Sequence, residues 1–389
     1  MSQSAPRVLF ITTSFPLSEG HWSGVFIYRQ ARAIQKLGCE VSVLAPSAPG
    51  VAAQESFGSL PVHRFAYLPE RARQIAYGGG IPANLKSKPW LWAGMPFFGL
   101  GLIRAATRLA RQHDIIHAHW SFAGALASLD AVRGGKPLVV SFHGSDLAKK
   151  SGPYAAFARR AGRAADAVVV HSRDMRRRAL ASGVAEAKIL LIPHGIDPDD
   201  YAPEKPRPGR GQLVAVGRLS QEKGFDVLLE ALALLGGDTE FHLRIIGEGP
   251  AATQLKTKSE RLGLTDRVTF TGALPQAQVR EALNAAGALI VPSRREGFGV
   301  VALEGMAAAL PIVGTAVGAL PQLVEEGVTG HLCEPENAAA LARAIEKVLG
   351  DRDRCRAMGE QARRLIRERY TPAAVNRPLA DIYRDLLRA

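Results

Sequence analysis

Cysteine is scarce in this chain. Its 389 residues include three, Cys39, Cys333 and Cys355, widely separated and forming no CxxC pair. That excludes a disulfide framework and a cysteine zinc cluster, implies no metal, and points to a reducing compartment. Long hydrophobic runs are missing as well. The longest, Pro89 to Ile103, has 15 residues interrupted by Pro96 and three glycines, short of the roughly 20 that a membrane-spanning helix needs but enough for a segment lying in an interface. The first residues, MSQSAPR, run straight into RVLFITT-type strand sequence without the apolar region of a secretory signal. The expected location is therefore cytoplasmic, either free or held peripherally on the inner face of the membrane. No low-complexity segment, RRM, helix-turn-helix or zinc-finger pattern occurs, so nucleic-acid binding has only charge behind it and is set aside.

Charge itself is plentiful and uneven. The net charge is +13, and residues 1–200 carry 24 Lys and Arg against 13 Asp and Glu, whereas the remainder carries 25 against 23. The basic half favours an anionic partner, and a lipid surface fits better than nucleic acid. Within that half, Arg71 to Arg104 sets Trp90, Trp92, Phe97 and Phe98 among Arg71, Arg73, Lys86 and Lys88. This is the layout of an interfacial membrane contact or of a loop that folds over the core of the first half.

Short Val-, Ile- and Leu-rich runs alternate with helical stretches from end to end: RVLFITT, CEVSVLAP, DIIHAH, PLVVSFHG, DAVVVHS and KILLIP in the first half, then QLVAVGR, EFHLRIIG, RVTFTG, GALIVPS and PIVGT in the second. Such alternation implies parallel sheets covered by helices on both faces. The proline- and glycine-rich stretch Tyr201 to Gly211 reads as a connector between the two series. The expected fold class is α/β, with two doubly wound Rossmann-like domains. Ligands of such sheets bind beyond the carboxyl ends of the strands, so the expected site is a cleft that the two domains face.

The richest stretch is RREGFGVVALEGMAAAL, Arg294 to Leu310. Glu296 precedes a glycine-bracketed helix start, and Glu304 lies about two turns inside an otherwise apolar helix. A buried carboxylate costs several kcal/mol unless it is hydrogen-bonded, so Glu304 requires a partner. A helix start bracketed by glycine offers backbone N–H groups and partial positive charge to an anion. A phosphate between two carboxylates that hold hydroxyl groups describes a sugar nucleotide. Arg218 and Lys223, at the end of QLVAVGR and in the loop after it, are placed to stabilise a departing diphosphate. Gly20 to Gly24 follows the first strand but is not GxGxxG, which counts against a dinucleotide.

These stretches, in this order, with IHAHW at Ile116 to Trp120, SFHGSD at Ser141 to Asp146, IPHGID at Ile192 to Asp197, VGRLSQEKG at Val216 to Gly224 and IIGEGP at Ile245 to Pro250, resemble the retaining glycosyltransferases of family four, which carry an E-x7-E signature. The resemblance runs nearly end to end and implies the GT-B fold: an acceptor-binding domain over 1–198, a nucleotide-sugar domain over 199–368, and a helix over 369–389 that crosses back to the first domain. It implies that Arg218 and Lys223 contact the donor diphosphate in place of a metal ion. Glu296 is expected to hold hydroxyls of the sugar, the amides of Gly297, Phe298, Gly299 and Val300 the phosphates, and Glu304 the ribose. The backbone near Leu274 and Gly247 is expected against the base. Gly24 is expected to approach the diphosphate, and His143 to touch the sugar near the reacting carbon. His119, Trp120 and Asp146 are expected to line the acceptor pocket or to orient a loop. His194 departs from the family pattern, where asparagine is common.

The implied activity is metal-independent transfer of a hexose, with retention, from a nucleoside-diphosphate sugar to a glycan or lipid-linked acceptor, as in cell-surface polysaccharide, lipopolysaccharide or glycolipid synthesis. UDP is favoured as the base carrier, with GDP-mannose second, and no cofactor is needed. On the N-terminal side the motifs offer no obvious carboxylate nucleophile apart from Asp146, so same-face substitution is preferred to a double displacement. A sugar-nucleotide epimerase or hydrolase on the same fold is the alternative, and the RLSQEKG loop with the paired glutamates favours the transferase.

Overall fold

The structure, a computed structural model, describes residues 5–18, 21, 23–147, 151–202, 211–236 and 239–388, apart from the side chains of residues 130, 132 and 133. Gly20 and most of the expected connector, residues 203–210, lie outside the described residues. The chain divides into two compact units, residues 1–194 with 372–389, and residues 195–371.

In the first unit, β1 (Arg7–Ile11), β2 (Glu40–Pro46), β3 (Gln54–Phe57), β4 (Leu60–Phe65), β5 (Ile115–His119), β6 (Leu138–Ser141), β7 (Ala167–Val170) and β8 (Ile189–Leu191) form one sheet. Their order is β3-β4-β2-β1-β5-β6-β7-β8. All neighbours are parallel except the β3–β4 hairpin, which runs antiparallel at the edge. The hairpin is not evident in the sequence because its strands are short, Pro61 sits in the second, and Gly58 marks the turn between them, which together locally resemble a loop. Successive β1 residues alternate between two cores: Val8 and Phe10 enter one, Leu9 and Ile11 the other. This is the period-two geometry of a strand buried on both faces.

The second unit repeats the plan with β9 (Gln212–Val216), β10 (His242–Ile246), β11 (Val268–Gly272), β12 (Ala288–Val291), β13 (Ile312–Thr315) and β14 (Gly330–Cys333), ordered β11-β10-β9-β12-β13-β14. In both sheets the winding reverses beside the first strand, between β1 and β5 and between β9 and β12. Loops leaving those strands diverge there and open a crevice at their carboxyl ends. The loops are those that carry the motifs: residues 12–18, 23–24 and 120 in the first unit, 217–224 and 292–299 in the second.

Two further features shape the first unit. Residues Met95–Ala110, read from sequence as part of a loop, form a helix that buries Phe98, Leu102, Ala106 and Leu109. Pro96 sits at its first turn, where the missing N–H has no intrahelical partner to lose. The final helix, Pro372–Leu386, packs with the helix Val25–Lys36, and its fully buried Tyr383 reaches His117 on β5. Among the described residues, no helix is long and apolar enough to cross a membrane.

Candidate functional site

In the second unit, the loop after β9 and the loop after β12 are stitched together. The Glu222 carbonyl accepts from the amides of Arg294 (2.9 Å) and Arg295 (3.2 Å). The Arg294 guanidinium makes two 2.7 Å bonds to Asp226 and one of 2.8 Å to Glu336, and it holds the Asp226 carboxyl below its usual range. Gly224 makes this approach possible. Its φ is +66°, and a Cβ there would lie 2.0 Å from the Pro292 carbonyl oxygen, so no other residue fits.

The stitching brings Lys223 to Glu296. The Lys223 ammonium donates to Glu296 Oε2 at 2.7 Å, Ser293 Oγ donates to the same oxygen at 3.2 Å, and the Gly297 amide donates to Oε1 at 3.2 Å. Gly299 then caps the helix Val300–Ala307, whose first N–H groups have no partner within the helix itself. The ring of Phe298 is buried in the core, which anchors the turn and leaves its backbone as the part that can serve a ligand. Glu304 is buried, and its Oε1 accepts from Tyr201 Oη (2.9 Å) and Gln276 Nε2 (3.0 Å). Gln276 also donates to Tyr201 Oη at 3.0 Å. The partner that the sequence demanded for Glu304 is thus a neutral pair, 103 and 28 positions away along the chain. Arg218 is exposed directly after β9, and Gly247 and Leu274 are half-buried beyond β10 and β11.

In the first unit, His119 ends β5 and His143 follows β6. Between β5 and the next helix, Trp120 has φ 69° and ψ 151°, a conformation nearly restricted to glycine that costs about 1–3 kcal/mol. Asp146 offsets that strain: its Oδ1 accepts from the Ser121 amide at 3.0 Å and its Oδ2 from the His143 amide at 2.7 Å. Burial pushes the Asp146 carboxyl up to about 6 in spite of these bonds. Both of its oxygens are therefore engaged with backbone, tying the Trp120 turn to the His143 loop. Gly24, with φ +66°, packs so closely on Ser14 that a Cβ would lie 2.4 Å from its carbonyl oxygen.

Around His143 the structure assembles a column of imidazoles that the sequence reading did not collect. His119, His143, His171 and His194 stack with neighbouring ring centroids 4.0–5.4 Å apart, and His117 stacks on His119 at 4.4 Å. His143 Nε2 lies 3.2 Å from His119 Nδ1, and His143 Nδ1 lies 3.2 Å from His171 Nε2. Burial first, then the neighbouring histidines, holds His119, His143 and His194 well below the usual imidazole range. Burial brings His171 to about 4 and His117 to about 3. The column is neutral at physiological pH. His143, His171 and His194 have ring nitrogens within 4.8 Å of one another and form the one candidate cation-binding group among the described residues. His143 Nδ1 and His171 Nε2 are directed at each other, 3.2 Å apart, instead of at a shared ion. The signal in the sequence was the strand-ending histidine of DAVVVHS, the same position that His143 occupies in PLVVSFHG.

Comparison with known proteins agrees with this architecture. Residues 23–200 match the family described as Glycosyltransferase Family 4, and residues 198–365 the one described as Glycosyl transferases group 1. The chain is 33% identical to the alpha-D-kanosaminyltransferase of Streptomyces kanamyceticus over 74% of its own length and 81% of that protein. It is 28% identical to a glycogen synthase of Mycobacterium tuberculosis over 97% of its length and 94% of the relative. Among solved structures, Anabaena HepE in complex with UDP and glucose superposes with a TM-score of 0.76 at 20% identity, covering 98% of this chain and 100% of that one.

Proposed function

Because this chain belongs to glycosyltransferase family four and has the GT-B fold, we propose that it moves a hexose, with retention of anomeric configuration and without a metal ion, from a nucleoside-diphosphate sugar to a glycan or lipid-linked acceptor. The observation that carries the reading is the cluster at the carboxyl ends of β9 and β12. An ammonium group, a carboxylate and a capped helix start converge there, while a second carboxylate is held in register by Tyr201 and Gln276. Lys223 and Arg218 supply positive charge for the departing diphosphate, and the amides of Gly297 to Val300 supply donors for its oxygens. Glu296 takes hydroxyls of the sugar and Glu304 those of the ribose, since carboxylates accept from vicinal hydroxyls in several directions. Gly247 and Leu274 lie against the base. UDP is the favoured carrier: HepE binds it, and GDP-mannose is the second donor to try. No cofactor takes part.

From the first unit, Gly24 serves the diphosphate, His143 touches the sugar, and Trp120 meets the acceptor with His119 and Asp146 holding its turn from behind. The only carboxylate there that the motifs supply, Asp146, already has both oxygens on backbone amides. This favours same-face substitution, in which the leaving phosphate takes the acceptor proton as the acceptor oxygen bonds to the anomeric carbon. The acceptor side faces an anionic lipid surface. Trp90, Trp92 and Phe97 are 60%, 54% and 56% exposed, beside exposed Lys86 and Lys88 in the more basic half of the chain.

The test is a thermal-shift panel of UDP-, GDP-, ADP- and dTDP-sugars in EDTA. A ligand that binds only the folded state at about 100 Kd adds about 2.7 kcal/mol and must raise Tm. UDP-sugars are expected to give the largest rise. No rise with any nucleotide sugar would overturn the reading.

A further inference from the structure

The imidazole column has a direction. His171 Nδ1 lies 2.7 Å from the carbonyl oxygen of Ile192. A carbonyl can only accept, so this nitrogen carries the proton. In the neutral ring, His171 Nε2 is then a lone pair and must accept from His143 Nδ1, 3.2 Å away. His143 Nε2 is in turn a lone pair, which accepts from His119 Nδ1 at 3.2 Å. The series ends at His119 Nε2, a buried ring nitrogen with no hydrogen-bond partner. That end is consistent with the direction, because the reverse order would require an N–H aimed at the His171 proton or a second proton on one ring.

We infer that His171 is a positioning residue that fixes His143 as the Nδ1–H tautomer and, with His119 on Nε2, holds its ring in one orientation for the donor sugar. The inference rests on the reading that His143 touches the sugar. A histidine in water prefers its proton on Nε2, and the hydrogen bond at the other nitrogen decides which tautomer is held. The His171 ring, anchored by a main-chain carbonyl, imposes the less common form. With the opposite tautomer, two lone pairs would face each other across the 3.2 Å between His143 Nδ1 and His171 Nε2, and the ring would lose its hold. His194 and His143 on either side of His171 keep the column desolvated, and there burial disfavours a protonated ring that would erase the distinction.

The experiment uses the full chain labelled with ¹⁵N-histidine. Long-range ¹H–¹⁵N correlation at neutral pH reads the tautomer of His143 directly, and kinetics with a turned-over donor reads its consequence. In the wild type, His143 is expected with Nδ1 protonated and Nε2 bare. His171→Phe keeps a stacking ring but offers no lone pair, so His143 is expected to shift to the Nε2–H form. Its kcat is expected to fall about 10- to 100-fold, by analogy with the loss of partners that orient metal-bound histidines, while affinity for the free nucleoside diphosphate is unchanged. His171→Gln, whose amide oxygen can accept from His143 Nδ1, is expected to restore both tautomer and turnover. A wild-type spectrum with Nε2 protonated, or a His171→Phe enzyme with unaltered kcat, would overturn the inference. A His143→Ala enzyme that works at the wild-type rate would instead remove the reading beneath it, whatever the spectrum shows.

Discussion

Neutralising Glu296 should strengthen the binding of a free nucleoside diphosphate while destroying that of the intact donor. Lys223 Nζ lies 2.7 Å from Glu296 Oε2, with the two side chains 26% and 10% exposed. The group assigned to the diphosphate is therefore already engaged by the group assigned to the sugar. An exposed pair of this kind contributes about 0.2–1 kcal/mol, and hydrogen bonds to charged groups in more buried settings about 1.5–3 kcal/mol. Partial burial places this one near 1 kcal/mol, or about fivefold in Kd. Glu296→Gln keeps the size of the side chain and Ser293 as a neighbour but releases the ammonium. Calorimetry at fixed ionic strength should then show UDP binding about fivefold tighter, and the sugar nucleotide binding more weakly because its hydroxyls have lost a charged acceptor.

A double-mutant cycle separates competition for the ammonium from simple repulsion between carboxylate and phosphate. If Lys223 carries the effect, the gain in UDP affinity disappears when Glu296→Gln is made on a Lys223→Ala background. A gain that survives undiminished there, or equal weakening of UDP and UDP-sugar in the single variant, would refute the argument.

Glu304→Ala should weaken UDP and the sugar nucleotide alike, since both carry the ribose, and Tyr201→Phe should do so less, since it keeps the carboxylate but loses the bond to Glu304, worth about 1 kcal/mol, and the one accepted from Gln276; calorimetry that finds UDP affinity intact in Glu304→Ala removes the ribose assignment. Turnover should persist in excess EDTA, whereas Arg218→Ala or Lys223→Ala should lower kcat/KM about 100-fold or more; activity lost to EDTA and restored by Mg²⁺ contradicts this. Stability should fall as pH drops from 7 towards 4. His117 and His171 bind protons below their unfolded pKa only when unfolded, down to their folded values of about 3 and 4, and His119, His143 and His194 are shifted the same way. Each such group costs about 1.4 kcal/mol per pH unit once fully below its unfolded pKa. Asp146, raised to about 6, acts in the opposite sense over the same window but is a single group; a Tm that is flat or rises on acidification would contradict the neutral column. Binding to phosphatidylglycerol vesicles should fall steeply with salt and fall again in a Trp90→Ala, Trp92→Ala variant; equal binding to neutral vesicles would remove the lipid surface from the account.

Much of the fold is legible in the sequence because strands buried on both faces write themselves as continuous Val, Ile and Leu runs. The runs RVLFITT, DIIHAH and QLVAVGR need no tertiary information to be read as β1, β5 and β9. The β3–β4 hairpin and β14 are different. They lie at sheet edges, where short strands tolerate Gly and Pro and carry no strong period. The helix Met95–Ala110 was obscured by Pro96, which breaks a helix in its middle and is harmless in its first turn. At the site, the paired glutamates and Lys223 stand out because their loops are short and glycine-marked. The column of histidines does not, because His119, His143, His171 and His194 come from the ends of separate strands or the loops after them and meet only through the order of β5, β6, β7 and β8. Likewise, burial physics demands a partner for Glu304 but cannot say that Tyr201 and Gln276 supply it.

The most direct test follows UDP-glucose, anomerically ¹³C-labelled, with the full-length protein in EDTA by ¹³C and ³¹P NMR, using water as the acceptor. Release of UDP together with α-glucose as the first sugar seen, before mutarotation, is expected, and so is loss of this release in Lys223→Ala. Appearance of β-glucose first, or UDP release that requires an added divalent metal and ignores Lys223, would contradict it.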